Sequence, residues 1–294
     1  MKSPLLITVG LAGMLIGLCA MVVKRPGTTN TPTPLALQYP NYFGNRTFIP
    51  AGNPVTVEGV ALGRRLFYET RLSSNNSVSC ATCHRQELAF ADDKTLSTGV
   101  TGKSTKRNSM SLANLVWVRS FFWDGRSEGL EARAAVPLSH PDEMGQAAAI
   151  GARKLQATKD YPLLFQKAFG SATITAENIV KAISQFERTL ISCNSNYDKY
   201  LQGKYQPTAS ELNGIALFFT NPNPEKNIRG AACSHCHGGP KTFSELFHNN
   251  GLDSLPQDSG RAVVTQQSID NGRFRVATLR NIALTAPYMH DGRF

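Results

Sequence analysis

Two copies of a C-x-x-C-H motif constrain this chain more than any other feature of its sequence. The first copy occupies residues 80–84 and the second occupies residues 233–237. Two thiols at this spacing form thioether bonds to the vinyl groups of one haem, and the adjacent histidine gives its imidazole to the iron. A lone C-x-x-C also fits a redox dithiol, and four cysteines with histidines also fit zinc. Two complete copies, each ending in histidine, favour c-type haem at both places.

The motifs therefore predict two covalently bound haem c groups. Four cysteines and two proximal histidines would hold the haem irons and rings, namely Cys80, Cys83 and His84 for the first haem and Cys233, Cys236 and His237 for the second. His235 lies inside the second motif and is interpreted as a spacer. The remaining two of the six cysteines, Cys19 and Cys193, do not indicate a disulfide framework.

Length and charge limit the function classes. The chain has 294 residues, enough for a leader and two domains of ordinary size, and two distant haem motifs favour one domain around each. The formal net charge is +10, from which the propionates of two haems would subtract about four charges. Basic and aromatic residues are not interleaved as in a nucleic-acid-binding surface, so no nucleic-acid partner is predicted. A basic face suits contact with an acidic electron donor.

The N-terminal residues 1–25 are predicted to be a signal or a membrane anchor. Residues 5–23 form an apolar run with basic residues on both sides. This run is longer than the usual core of a signal peptide and approaches the length of a membrane span. A cleaved signal and an uncleaved inner-membrane anchor both remain open. Because bacteria attach haem c outside the cytoplasmic membrane, the folded body is expected in the periplasm.

Residues 26–50 are rich in threonine and proline, and they predict an extended linker without a core of its own. The folded body is expected to begin near Pro50. Helices are predicted after Thr56, over residues 176–190 and over residues 209–219, because capping residues or apolar side chains three to four apart mark them. No long alternating pattern of a strand occurs, so the predicted class is mainly α with long loops.

Several blocks of sequence carry a resemblance to a known family. They occupy residues 62–67, 79–84, 107–109, 122–126, 143–145, 186–190, 233–237, 278–281 and 285–292. Through these blocks the chain resembles the bacterial di-haem cytochrome c peroxidases, a family that includes the MauG-type protein-oxidising enzymes. Many blocks in the right order are far more specific than C-x-x-C-H alone.

The resemblance implies two cytochrome-c-like helical domains with a haem in each. Residues 51–206 would form the N-terminal peroxidatic domain and residues 207–294 the C-terminal electron-transfer domain. In the family, a further helix carries the second axial ligand of the C-terminal haem. Because the sequence ends at Phe294, this domain is expected to be truncated and its second ligand is not identified.

The resemblance also implies two catalytic residues, Glu143 and Trp123. Glu143 corresponds to the distal acid–base group, since a shielded carboxylate takes a proton from one peroxide oxygen and gives it to the other. Trp123 belongs to the block between the haems, where an aromatic side chain passes electrons. A solvated loop carboxylate and ordinary core packing are the plain alternatives. Trp117 and His140 have no matching role, and we interpret them as a core tryptophan and a loop histidine.

Three further residues match family positions that hold a calcium ion between the domains. They are Asn108, Thr285 and Pro287, the last two acting through backbone carbonyls. Hard oxygen ligands of this kind suit calcium. The resemblance also allows a homodimer.

Two positions depart from the family pattern. The classical peroxidases have a distal histidine eight residues before the position of Asn108, and Val100 stands there in this chain. A valine has no lone pair for iron, so the first haem is expected to be open to peroxide without prior reduction. Arg133 stands where the family often has glutamine near the distal pocket, a departure that concerns the hydrogen bonding there.

The predicted function is a periplasmic peroxidase that reduces hydrogen peroxide to water. Its electrons would come from a small cytochrome c or a cupredoxin. A MauG-like enzyme that oxidises a partner protein is one alternative, and a non-catalytic di-haem electron carrier is another. An open site beside Glu143 favours an enzyme, because a carrier is expected to have both irons six-coordinate.

Overall fold

The computed structural model describes residues 31–294, and these residues are mainly helical, as predicted. Their α-helices are α1 (Val57–Phe67), α2 (Cys80–Cys83), α3 (Leu130–Ser139), α4 (Ala148–Gln156), α5 (Tyr161–Phe169), α6 (Ala176–Arg188), α7 (Asn196–Leu201), α8 (Ala209–Phe219), α9 (Ser234–His237) and α10 (Ala262–Thr265). The strands form two antiparallel pairs, β1 (Ser120–Phe121) with β2 (Ser127–Glu128) and β3 (Phe247–His248) with β4 (Phe274–Arg275). Short 3-10 helices lie at Asn41–Phe43, Thr70–Leu72, Gln86–Leu88, Leu115–Trp117, Pro224–Lys226, Ser268–Asp270 and Ile282–Leu284.

Helix α1 begins where its capping residue predicts. The Thr56 hydroxyl accepts a hydrogen bond from the Gly59 N–H at 3.1 Å, which satisfies one of the free donors of the first turn. Further along, Gly63 allows α1 to cross α6 closely, because a side chain there would collide with the Ala182 carbonyl oxygen. Leu62 and Leu66 of α1 pack with Ile179 and Ile183 of α6 in a cluster of buried apolar residues, here called the first apolar cluster.

The two other helices predicted from sequence are also present. The pattern over residues 176–190 corresponds to α6, whose Ile179, Ile183 and Phe186 are all buried. The segment 209–219 is α8, and its first turn is closed by hydrogen bonds between Thr208 and Glu211. The apolar side chains of α8 remain partly or largely exposed, in contrast to those of α6.

Residues 31–50 differ from the predicted extended linker. Phe43 is buried, and its ring meets the ring of Trp117 edge to face with 5.2 Å between centroids. The Leu35 N–H donates to the Val55 carbonyl at 2.9 Å, which holds this segment against the start of α1. The threonine and proline content predicted a segment without a core, but aromatic residues such as Phe43 supply buried apolar area. The folded body therefore begins before residue 50.

The remaining predictions about organisation have different outcomes. The predicted signal or anchor, residues 1–25, lies outside the described residues. Among residues 31–294, no helix is both long enough and apolar enough to cross a membrane. The division into domains at residues 206 and 207 stays a prediction.

Candidate active site

The first motif places its histidine at the end of a single helical turn. Cys80–Cys83 forms α2, and the Thr82 hydroxyl accepts a hydrogen bond from the Ser79 N–H at 3.0 Å. His84 follows, with its Nδ1 2.9 Å from the Phe90 carbonyl oxygen. A carbonyl at this place selects the Nδ1–H tautomer, so the lone pair that can ligate a metal is on Nε2. Burial, and secondarily Arg133, lower the pKa of His84 to about 3, so the ring is in its neutral, ligating form.

The second motif repeats this arrangement. Cys233 immediately precedes α9, and His237 ends that helix. The His237 Nδ1 lies 3.3 Å from the Thr242 carbonyl oxygen, so Nε2 again remains for a metal. The two motifs thus present the same donor set, two thiols and one oriented imidazole, which fits haem c at both places.

Two cavities of similar size lie against the two motifs. The first cavity, about 590 Å³, is lined by His84 and Glu143, and a smaller space of about 60 Å³ is lined by the same two residues together with Cys80 and Cys83. The second cavity, about 570 Å³, is lined by Cys236 and His237. Another cavity of about 430 Å³, between α7 and α8, contains no cysteine or histidine of either motif.

Glu143 lies in the first cavity, as the resemblance implies. It follows α3 in a turn that is closed by a hydrogen bond from its N–H to the His140 carbonyl at 3.0 Å. Burial raises the pKa of the Glu143 carboxyl above its ordinary value, although His140, Arg133 and Arg126 oppose the rise. A carboxyl with a raised pKa in a cavity exchanges protons near neutral pH more readily than an exposed one.

Trp123 lines both cavities. Its Nε1–H donates to the Asn108 carbonyl at 2.9 Å, and its own carbonyl accepts the Arg275 N–H at 2.7 Å. These bonds fix the indole between the two motifs. Trp117, by contrast, is buried against Phe43, as predicted for a core tryptophan. Both belong to a second apolar cluster, which also contains Phe67, Phe121 and Phe186.

A buried ion pair beside His84 was not predicted from the sequence. Arg133 Nη1 lies 2.6 Å from Glu187 Oε1, and Arg133 Nη2 lies 3.4 Å from His84 Nε2. The guanidinium therefore occupies the open side of the imidazole. Glu187 is buried, and its Oε2 has no hydrogen-bond partner within residues 31–294. A cation 54 positions earlier in the chain than its carboxylate leaves no signal in local sequence patterns.

Val100 and His140 occupy different surroundings. Val100 packs against Gly145 and its N–H donates to the Glu143 carbonyl at 2.8 Å, but Val100 does not line either haem-motif cavity. His140 does line the first cavity, with Nδ1 3.8 Å from Glu143 Oε1. His140 lies at the C-terminal end of α3, which brings this loop histidine next to the carboxylate.

The three residues predicted for calcium all line the second cavity. The Asn108 Nδ2 amide donates to the carbonyls of Lys94 and Thr95 at 3.1 and 3.2 Å. Thr285 and Pro287 come from the segment that follows Ile282–Leu284. Within residues 31–294, no group of three histidine, cysteine, aspartate or glutamate side chains is arranged to hold a metal ion. A calcium ion here would depend on carbonyl and amide oxygens.

Comparisons with known proteins agree with this geometry. The family described as di-haem cytochrome c peroxidase matches residues 57–206. The chain is 36% identical over 248 residues to the methylamine utilization protein MauG of Methylorubrum extorquens, covering 83% of this chain and 67% of that protein. It is 34% identical over 249 residues to the cytochrome c551 peroxidase of Nitrosomonas europaea, covering 83% of this chain and 72% of that protein.

Solved structures give the same result for the fold. A MauG-like protein associated with microbial copper homeostasis superposes with a TM-score of 0.80 at 38% identity, covering 88% of this chain and 79% of that one. The diheme peroxidase BthA of Burkholderia thailandensis superposes with a TM-score of 0.68 at 24% identity, covering 89% and 73%. The resemblance predicted from the sequence blocks is thus confirmed. The chain belongs to the di-haem cytochrome c peroxidase family, whose members carry two haem c groups and act as oxidoreductases on peroxide.

Proposed function

We propose that this protein reduces hydrogen peroxide to water in the periplasm, with electrons from a small cytochrome c or a cupredoxin. One observation carries the proposal. Glu143, a carboxyl with a raised pKa, and His84, a neutral imidazole whose Nε2 can ligate a metal, line one cavity, and Trp123 lines both that cavity and the second. The family of the chain and its cytochrome c peroxidase relatives support the same reaction.

The reaction needs electrons and protons in equal number. Each hydrogen peroxide takes two electrons and two protons and gives two molecules of water, so two molecules of a one-electron donor are oxidised. When bound, haem supplies the iron that accepts peroxide and the redox centres that hold the electrons. His84 and His237 would hold those irons, and the four motif cysteines would hold the rings.

Glu143 is the proposed acid–base residue. One of its carboxylate oxygens takes a proton from one peroxide oxygen and returns it to the other, which then leaves as water. Its side chain is 27% exposed, so the carboxyl is shielded enough for a raised pKa but still exchanges protons with solvent. Arg133 adds a positive charge to the same cavity, where it favours the ionised form of Glu143.

Trp123 is the proposed path for electrons between the two cavities. The indole lines both, and hydrogen bonds from its Nε1 and to its carbonyl hold it in place. The net charge of +10 suits an acidic donor that docks electrostatically.

Three finer proposals accompany this function. Residues 1–25 direct the body to the periplasm, either as a cleaved signal or as an inner-membrane anchor. Asn108, Thr285 and Pro287 hold one calcium ion, supported by their position around a single cavity and by the preference of calcium for oxygen ligands. A homodimer remains a proposal by resemblance alone.

A second candidate function is the oxidation of a partner protein. The match to MauG of Methylorubrum extorquens and the superposition on a MauG-like protein favour it. A non-catalytic electron carrier is disfavoured, because a carrier has no need for a shielded acid–base group such as Glu143 in the cavity that His84 lines.

The test is a turnover measurement on protein with both haems attached. A reduced small cytochrome c or cupredoxin is mixed with peroxide and the protein, and both consumptions are followed. We expect two donor molecules to be oxidised for each peroxide consumed. Peroxide consumption without donor oxidation, accompanied by oxidised side chains in an added partner protein, would support the second candidate function instead.

A further inference from the structure

Arg275 is a buried cation between the two cavities. It lies in β4, is 7% exposed, and lines both the first and the second cavity. Its peptide N–H donates to the Trp123 carbonyl at 2.7 Å, which fixes the backbone beside the proposed electron path. The backbone of Arg275 is therefore held by both a strand and the tryptophan.

No carboxylate of residues 31–294 lies within ion-pair distance of Arg275. Its Nη2 contacts the Met110 sulfur at 3.6 Å, and its Nε has no hydrogen-bond partner among these residues. Two other buried arginines are paired: Arg188 lies 2.8 Å from Glu131, and Arg280 lies 2.7 Å from Asp198. Burying a charge without a partner is strongly unfavourable, so the surroundings of Arg275 call for an anion.

The anion has to enter through the cavities that Arg275 lines. Burial lowers the pKa of Arg275 to about 10, and the guanidinium is still charged at neutral pH. Glu245, the carboxylate that acts on it electrostatically, bonds instead to the N–H groups of Arg119 and Ser120 at 3.3 and 3.4 Å. Asp124 and Asp258, which line the first cavity with Arg275, pair with Arg107 instead. The proposed cofactor would bring further negative charge into both cavities, because each haem carries two propionates.

We propose that Arg275 binds a haem propionate at the junction of the two cavities and thereby raises the reduction potential of that haem. A planar guanidinium pairs with a carboxylate through two parallel hydrogen bonds, which a lysine does not reproduce. Its positive charge favours the reduced iron, which carries one charge less than the oxidised iron. The inference rests on the proposed haem sites, and it does not depend on peroxide turnover.

The test is a redox titration of haem-loaded Arg275→Gln in the absence of peroxide. We expect the reduction equilibrium of at least one haem to shift tenfold or more towards the oxidised form, which is about 59 mV for a one-electron couple. The haem whose potential falls more is the one whose propionate contacts Arg275. Similar falls for both haems would indicate that Arg275 contacts a propionate of each. Haem staining of a denaturing gel establishes separately that both haems are attached.

Arg273→Gln is the matched control. Arg273 is two residues earlier, pairs with Asp270 at 3.3 Å and does not line either haem-motif cavity, so its loss should leave both potentials close to those of the wild type. Equal potentials in Arg275→Gln and Arg273→Gln would overturn the proposal.

A second variant covers the case in which Arg275→Gln does not take up haem. Arg275→Lys keeps the charge but changes the hydrogen bonds, so the propionate bending bands in the resonance Raman spectrum should shift from their wild-type positions. Bands identical to the wild type in haem-loaded Arg275→Lys would show that Arg275 has no contact with a propionate, and the proposal would fail.

Discussion

The two cavities have nearly the same volume but different chemistry. The first cavity, about 590 Å³, contains the carboxylates of Glu143, Asp124 and Asp258. The second cavity, about 570 Å³, has no aspartate or glutamate in its lining. Proton transfer to peroxide needs an acid–base group, for which a shielded carboxyl such as Glu143 is suited, whereas electron transfer needs only a shielded redox centre. The difference supports our proposal that proton chemistry belongs to the first cavity and electron supply to the second.

The parts of the chain on either side of residue 207 also differ in packing. Both apolar clusters consist of residues before 207, except for Phe243. In residues 207–294, Phe243 and Val276 are the buried apolar side chains, and Leu255 is 81% exposed. The second cavity is lined mostly by these later residues, with Trp123 and other earlier residues completing it. The apolar body of a haem would therefore supply much of the core that the later part does not build from side chains.

The largest expected effect comes from Glu143→Gln. Turnover of peroxide should fall by about 10²–10⁴-fold with both haems still attached, because an amide cannot carry the proton. Steady-state turnover with a reduced donor measures this. In the unsubstituted protein, activity should decrease as the pH falls through the Glu143 pKa, and burial places this decrease above the pH expected for an exposed glutamate.

Two control variants test whether proton transfer belongs to the first cavity alone. Asp142→Asn removes the neighbouring carboxylate, which does not line either haem-motif cavity. His248→Gln removes a titratable group from the second cavity. Both should retain most of the turnover. If His248→Gln lost as much activity as Glu143→Gln, the division of proton and electron chemistry between the cavities would be wrong.

The next largest effect concerns the ion pair that ties the later part to the earlier one. Asp198 of α7 is buried and accepts hydrogen bonds from Arg280, 82 positions further along the chain, at 2.7 Å. Asp198→Asn should lower the free energy of unfolding by about 3–5 kcal/mol, because the Arg280 charge remains buried without its partner. Denaturant unfolding followed by circular dichroism measures the loss.

The pH dependence of the stability lost in Asp198→Asn serves as the control for this prediction. Burial would raise the pKa of Asp198, but hydrogen bonds from Arg280 and Ser195 outweigh it and hold the pKa well below its usual range. A lowered pKa contributes stability above the unfolded value of about 3.9, and this contribution is lost as the pH falls further. The difference between wild type and Asp198→Asn should shrink below about pH 4. A difference that is independent of pH would exclude the charge as its cause.

Local patterns in the sequence predicted local structure well. The sequence predicted helices over residues 176–190 and 209–219, and both are present as α6 and α8, because the spacing of apolar side chains acts within one or two turns. The C-x-x-C-H motifs, together with the family blocks, predicted His84 and Glu143 as neighbours of one site. Each of these predictions rests on short-range spacing or on a family match.

Contacts between distant residues were beyond the reach of such patterns. The sequence of residues 31–50 resembles a linker, but Phe43 finds a partner in Trp117 only in the folded chain. The pairing of Arg133 with Glu187 and the missing partner of Arg275 likewise depend on three-dimensional packing. A buried cation and an exposed one look alike in sequence, so the site charges could not be predicted.

The smallest expected effects compare the same substitution in two helices. Gly63→Ala places a methyl group against the Ala182 carbonyl, so α1 and α6 must separate, at a cost of about 1–3 kcal/mol in the free energy of unfolding. Gly214→Ala in α8 meets no atom within 4 Å, and alanine should stabilise this helix by about 0.5–1 kcal/mol. Chemical denaturation of both variants measures the change in the free energy of unfolding, which should be negative for Gly63→Ala and positive for Gly214→Ala.

The direction of the stability change in Gly214→Ala tests the packing contrast more sharply, because it depends on whether another surface covers α8. An open helix gains only the lower backbone entropy of alanine, and the result would then support the loose packing of residues 207–294. Destabilisation by Gly214→Ala in the haem-loaded protein would mean that a surface lies against this face of α8. The contrast in packing on either side of residue 207 would then be smaller than residues 31–294 indicate, and the later part would have a core of its own.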